Sequence, residues 1–448
     1  MRRLVLGSFQ KLTTAWASRA FGLSTMTGRP EESRSVLAID FAPLFEMLSP
    51  RCASIDLMCG RAGDHGWPGI VAWEAFLLAL SAEELSVCER NGLQYAAEAL
   101  RCRMPHDLRT LCDAVASVAS SLGRTGVGES GGCSPSCTWK LNAKKAKQVG
   151  ALIDAVAARL DLRAVHRVVD VGCGKGHLTE QLRVVLGVPV LGLDIDAVLI
   201  ETARTLYPMA EFEVCDIVRQ GLPIRTGDLI VGLHPCGALG EAVVTAVAAH
   251  GGAALLMVSC CWHKQHAPVR SPLSRAGKAA GLTIPTKALK KASMRLDCST
   301  TVRSRRSRHE MRELLRLRGV DEAVISGRHE MSGVHSKWAE RGLSLLAAEV
   351  LRARGMEPPT DEEIEEATTR AAGQFEQMRR LSLLEGLFGE LLELLLTLDR
   401  AIALDNAGLS VCVFKAFETK DSDRNLAILA DRPHAPIAAS VMSSLHPL

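Results

Sequence analysis

Apolar residues recur along this chain with two different periods, and the change from one to the other divides the sequence. From Phe41 to about Ser121 they fall three and four positions apart, as in Trp73-Glu-Ala-Phe76-Leu-Leu-Ala-Leu80 and Leu93–Leu100, a spacing that predicts helices. Gly123–Ser136 is rich in Gly and Ser and reads as a linker. Helical spacing returns over Lys140–Leu160. Short β-branched runs then take over at His166–Gly172, Val188–Asp194, Glu211–Asp216, Asp228–Leu233 and Ala254–Ser259. Helical segments such as Leu178–Leu186 and Leu199–Leu206 lie between most of them. Strands alternating with helices predict βαβ units and a parallel sheet covered on both faces, hence an α/β class with a doubly wound, Rossmann-like sheet.

After Cys261 the alternation stops. Helical patterns follow, one of them opened by Thr360 with Glu363 three residues later, a capping box. Gly386–Leu404 is leucine-rich and reads as an amphipathic helix bounded by Asn406-Ala-Gly408. Leu409–Phe414 and Leu426–Ala430 then read as a β-hairpin that completes the sheet edge. The expected organisation is a leader at 1–30, an N-terminal helical region at 31–122 and a linker at 123–139. A core at 140–263, a basic loop and helical insertion at 264–405, a closing hairpin at 406–432 and a tail at 433–448 complete it.

Composition narrows the functional classes. Apolar residues make up 47% and charged residues 23% of the 448 positions, a globular balance that excludes disorder as the main state. No apolar run is long enough to span a bilayer, so no membrane span is expected. Net charge is only +3, so any polyanion partner must be argued from where the charge sits. It sits unevenly: Lys264–Arg308 holds twelve Lys/Arg against the single acid Asp297, and no Phe, Tyr or Trp for base stacking. The fourteen cysteines form no regular frame and suit a reducing compartment. Cys133 and Cys137 have no second pair at zinc-ligand spacing, so no metal site is expected. Residues 1–30 carry five basic residues, seven Ser/Thr and no acid, the make-up of an organellar transit peptide or of a basic tail. A mitochondrial location is therefore expected, with Met26 as an alternative start for a cytoplasmic form.

The chemistry concentrates in Val168-Val-Asp170-Val-Gly172-Cys173-Gly174-Lys-Gly176-His-Leu178. Glycines at the end of a first strand let the main chain approach a ligand closely, and the helix that follows offers free N–H groups. The spacing is D-x-G-x-G-x-G, not the G-x-G-x-x-G of a dinucleotide loop, and the Gly-Lys-Ser/Thr ending of a nucleoside-triphosphate loop is missing. Asp194 and Asp216 stand at the ends of the second and third strands. Each acid alone is also explained as a helix cap or a loop carboxylate.

This stretch resembles motif I of the class I S-adenosylmethionine-dependent methyltransferases. The resemblance implies that S-adenosyl-L-methionine is the cofactor. It places Asp170, Gly172, Gly174 and Gly176 around the methionine end, Asp194 at the ribose and Asp216 at the adenine, with Cys173, Ile195 and Ile217 as further cofactor-binding residues. Gly232-Leu-His234-Pro-Cys236-Gly237 and Ser259-Cys260-Cys261-Trp262-His263 resemble the His-x-Cys-Gly and Cys-Cys signatures of the methyltransferase-like 25 family, which includes the ribosomal RNA adenine dimethylase domain-containing protein. Asn142-Ala-Lys144-Lys145, Leu395-Leu-Thr-Leu-Asp399-Arg400 and Ser422-Asp-Arg424-Asn425 agree with that family, with Asp423 in place of its proline.

The fourth-strand loop lacks the Asn/Asp-Pro-Pro-aromatic pattern of adenine amino-methylation. His234 is the candidate to orient an acceptor or take its proton, and Cys236 is a pocket residue or a nucleophile. The Pro235-Cys236 and Ser259-Cys260 pairs also resemble those of RNA 5-methylcytosine enzymes. A tRNA ribose 2′-O-methyltransferase is a further reading. RNA bound through Lys264 to Arg308 is the expected substrate, a protein the second, and a non-catalytic ribosome assembly factor the alternative of another class. The oligomeric state is not legible.

Overall fold

The computed structural model describes residues 71–123, 143–160, 162–293, 299–326, 329–417, 422 and 424–431. The leader, nearly all of the linker, Cys133, Cys137 and the tail lie outside the described residues. The chain forms two compact units. Of the described residues, those at 117–293 and from 391 to 431 make up one, and those at 71–116 and 299–390 the other. Arg270–Ser293 and Leu391–Asn406 thus group with the sheet, where the sequence suggested one continuous insertion from 264 to 405.

The first unit is built on a seven-stranded sheet. Its strands are β1 (Arg167–Val171), β2 (Val190–Asp194), β3 (Glu211–Val214), β4 (Asp228–Cys236) and β5 (Ala254–Cys260), all mutually parallel. After β5 come a short antiparallel pair, β6 (Val269–Arg270) and β7 (Ile284–Pro285), and then β8 (Ser410–Lys415) and β9 (Leu426–Asp431). The order is β3-β2-β1-β4-β5-β9-β8, with β9 antiparallel to both neighbours, so the terminal hairpin does extend the sheet edge. Val168, Val169 and Val171 of β1 and all of β5 are buried, as expected of strands covered on both faces. The order reverses between β1 and β4, the kind of switch point at whose carboxyl ends open α/β sheets bind their ligands.

Leu178, Leu182, Leu229, Val231 and Val258 share a core with Val149, Leu152 and Val156 of the helix Ala143–Arg159. Thr360 and Glu363 make the expected reciprocal cap, at 2.9 and 3.3 Å. The helix they open does not stop before Gly386; it runs unbroken from Asp361 to Asn406. Its leucine-rich part is not amphipathic either. Leu391, Leu392, Leu394, Leu395, Leu396 and Leu398 are all buried, which leaves that stretch no solvated face.

The second unit is helical in the described residues. Met311, Leu314, Leu346, Ala347 and Val350 form its core, and Arg379 pairs with Glu89 at 2.6 Å.

The basic stretch Lys264–Arg308 is not a single loop. It contains β6, the helix Arg275–Ala279, β7 and the start of the helix Ser299–Leu317, and it passes from the first unit into the second. Part of its charge is already engaged. Arg270 is buried against Glu241 and Asp399, Arg306 pairs with Glu376, and Arg308 with Glu330. Lys264, Arg275, Lys278, Lys287 and Lys290 are exposed in the first unit.

Candidate cofactor and acceptor site

The loop after β1 closes onto the end of β2. Gly174 donates its N–H to Asp194 Oδ2 at 2.9 Å, and the other carboxylate oxygen accepts from Asp196 N at 3.0 Å. Gly172, Gly174 and Gly176 all have positive φ, and Gly176 also ends the loop where a Cβ would lie 2.5 Å from the Phe212 ring. A residue with a side chain is therefore barred at 176 by backbone and by space together. A Cβ on Gly174 would meet nothing within 4 Å, so the loop leaves open room beside the acids.

Asp170 lies beneath this loop, 2% exposed, and accepts from the Thr179 hydroxyl at 2.6 Å. Burial raises its pKa to about 6, against the opposing hydrogen bond from Thr179 and the Lys145 charge. A buried carboxylate that meets a neutral hydroxyl suits a cationic ligand. Cys173 is half-buried, and burial pushes its thiol above the usual range. Ile195 is 65% exposed directly after Asp194, whereas Ile217 is buried. Asp216 lies two residues past Val214, the β3 partner of Asp194, and caps the short helix Ile217–Gln220 by accepting from Arg219 N at 3.3 Å. The structure thus brings Asp170, Gly174 and Asp194 together and puts Asp216 on the next strand as a helix cap. These groups fit S-adenosylmethionine: a bare glycine curve, a buried acid suited to a positive centre, and a β2 carboxylate with acceptor capacity left after two N–H bonds.

The ends of β4 and β5 form the other half. His234 has φ of +66° and Cys261 +44°, and among the described residues they are the only non-glycines in the left-handed region. A bulge between Leu233 and Cys236 accompanies the first. The His234 ring packs edge-on to Phe417, and its buried Nδ1 has no hydrogen-bond partner among the described residues. Burial, then the Arg424 and Lys145 charges, lowers its pKa to about 4. At neutral pH the imidazole is uncharged and a weak base, better suited to orienting an acceptor than to removing its proton. Cys236 Sγ lies 3.2 Å from Cys260 Sγ, and the Cys260 thiol donates to the His234 carbonyl at 3.3 Å. That thiol–thiol contact pulls Cys236 below the usual thiol range and holds Cys260 above it.

Sequence reasoning assigned no role to two adjacent buried residues: Arg400 holds these strand ends, and Asp399 the segment that follows β6. Arg400 is fully buried, donates to Ser259 Oγ at 2.8 Å and Gly237 O at 3.1 Å, and lies 4.2 Å over the Trp262 ring. Asp399 accepts from Arg270, Leu273 N, and Ser274 N and Oγ. Their partners lie more than a hundred residues away, so the resemblance of the Leu-Asp-Arg segment and the charged pair amid leucines could flag them but not say what they hold.

Residues 144–267 match the model of a family described as a methyltransferase domain. A trans-aconitate 2-methyltransferase of Paracidovorax citrulli is 46% identical over 61 residues, 13% of this chain. The chain spans only 24% of that relative's length. Among solved structures, a TehB-like SAM-dependent methyltransferase of Corynebacterium glutamicum is 26% identical over 25% of this chain and 60% of its own, with a TM-score of 0.20. The PH0226 protein of Pyrococcus horikoshii is 18% identical over 30% of this chain and 66% of its own, with a TM-score of 0.24. SAM-bound CalS10, an amino pentose methyltransferase of Micromonospora echinaspora, is 25% identical over 27% and 52%, with a TM-score of 0.22. Residues 144–267 thus match a methyltransferase domain, for which S-adenosyl-L-methionine is the methyl donor.

Proposed function

We propose that this chain transfers a methyl group from S-adenosylmethionine to RNA at the carboxyl ends of β4 and β5. The observation that carries the cofactor half is the 2.9 Å bond from Gly174 N to Asp194, which closes the glycine loop over buried Asp170. The cofactor supplies an electrophilic methyl on a sulfonium, so the protein's task is to hold the acceptor in line. Asp170 favours the positive end, Asp194 accepts from the ribose hydroxyls, and Asp216 serves the adenine edge. Neutral His234 accepts a hydrogen bond from the acceptor and fixes its direction.

The RNA half rests on charge. Lys145 and Arg424 act on His234, and Lys264 and Arg424 on Cys236. The exposed Lys264, Arg275, Lys278 and Lys290 follow β5 and suit phosphates. The His-x-Cys-Gly and Cys-Cys signatures support membership of the methyltransferase-like 25 family, and the acid-free leader supports an organellar RNA.

The test is calorimetry with S-adenosylmethionine, followed by tritiated methyl transfer into RNA and protein fractions. Binding by the full chain, loss of it in Asp194→Ala, and ribonuclease-sensitive label are expected. Label in protein alone would overturn RNA as acceptor; binding without transfer would favour an assembly factor. No binding would overturn the whole reading.

A further inference from the structure

The cysteines at the ends of β4 and β5 offer a chemistry beyond the acceptor contacts described above. The sulfur atoms of Cys236, Cys260 and Cys261 all lie within 4.8 Å of one another. Consecutive strand residues point to opposite faces, so Cys260 and Cys261 would ordinarily present their thiols apart. The left-handed turn at Cys261, φ +44°, breaks that alternation, and the bulge before Cys236 re-aims the third thiol. Two backbone irregularities thus coincide with one convergence of sulfurs. Strained positions of this kind persist where the surroundings over-determine them.

We propose that Cys236, Cys260 and Cys261 bind one zinc ion through three thiolates, leaving a fourth position for water or an acceptor. Sulfur is the donor that selects zinc over the hard cations, which prefer oxygen. Tetrahedral zinc with bonds of about 2.3 Å spaces its sulfurs about 3.8 Å apart, inside the span seen here. The 3.2 Å contact between Cys236 and Cys260 opens by roughly half an ångström to reach that value. Loading exchanges the thiol protons for the metal, and three thiolates with one Zn²⁺ leave a net charge of −1. The positive charges of Lys264 and Arg424 at Cys236, and of Arg400 at Cys260, offset it. A disulfide between Cys236 and Cys260 would leave both the third thiol and the turn at Cys261 without a purpose.

The full chain is purified under reducing conditions, its zinc content is measured, and cobalt(II) is titrated into metal-free protein. One zinc per chain is expected, with intense thiolate-to-cobalt absorption in the near ultraviolet. Cys236→Ser and Cys261→Ser should each lose both signals, and Cys412→Ser should keep them. Zinc retained when all three are serine, or a wild type that shows neither zinc nor the cobalt bands, would overturn the site. So would a Cys236–Cys260 disulfide in peptide mass spectra of metal-free wild type prepared this way. S-adenosylmethionine calorimetry on the same samples reads the cofactor pocket separately, so failure of one reading is distinguishable from failure of the other.

Discussion

Replacing Asp399 with alanine removes a carboxylate that is wholly enclosed and receives four hydrogen bonds. Arg270 Nη2 donates at 2.6 Å, Leu273 N at 2.9 Å, Ser274 N at 3.0 Å and Ser274 Oγ at 2.7 Å. Breaking a buried ion pair from one side costs about 3–5 kcal/mol, because the other charge stays behind unpaired. Here Glu241 still accepts from Arg270 Nε at 2.5 Å, which places the cost toward the lower figure. A two-unit chain does not give one clean unfolding transition, so a local reading is the right assay. Amide hydrogen exchange at Leu273 and Ser274 reports directly on the bonds removed. A loss of about 3 kcal/mol accelerates it roughly 150-fold. The sign with pH follows from the same contacts: the Arg270 charge and the Leu273 and Ser274 donors outweigh burial and lower this pKa. The stabilisation is thus present above about pH 4 and is lost as pH falls through the lower folded value. Exchange within about threefold of wild type would refute the assignment of Asp399 as an anchor.

Three further outcomes are expected. His234 should titrate near pH 4 by NMR of labelled histidine; because the unfolded ring takes up its proton near 6.5, the first unit should lose stability as pH falls across that window. A midpoint at or above 6.5 would contradict its burial. Asp170, with a pKa of about 6, should release a proton on binding a cationic cofactor near pH 6, seen by calorimetry in buffers of different ionisation enthalpy and absent in Asp170→Asn. Gly237→Ala would put a Cβ 2.0 Å from the Lys264 carbonyl oxygen at a φ of +47°. It should cost on the order of 3 kcal/mol locally, read as roughly 150-fold faster amide exchange around Gly237 and Lys264, and exchange within about threefold of wild type would argue against that close approach.

The parts that were legible in the sequence are those whose signal is local. Val168-Val-Asp170, Leu191-Gly-Leu-Asp194 and Ala254–Val258 announce strands because buried parallel strands need β-branched and aliphatic runs, and the glycines that follow β1 mark its close turn. The Thr360–Glu363 cap was legible for the same reason. The continuity of the helix to Asn406 was not, since Gly373 and Gly386 suggest breaks that packing overrides. Asp216 carries a spacing that fits a cofactor acid and a geometry that caps a helix, and sequence alone cannot rank the two. The meeting of Cys236 with Cys260 and Cys261 depends on strand register and on two left-handed residues, neither of which leaves a pattern in the chain. The engagement of Arg270, Arg306 and Arg308 was hidden similarly, because a count of charges does not say which are already paired.

The position of β9 has a consequence for how the molecule is made. It lies between β5 and β8, so the edge of β5 waits for Leu426–Asp431 until the ribosome has delivered the second part of the helical unit, which is encoded in between. Throughout that interval a nascent chain exposes the main-chain hydrogen-bonding groups along Leu255–Val258, a template for pairing with any neighbouring polypeptide. Chains stalled before Leu426 are accordingly expected to pellet more readily on centrifugation than the full-length chain.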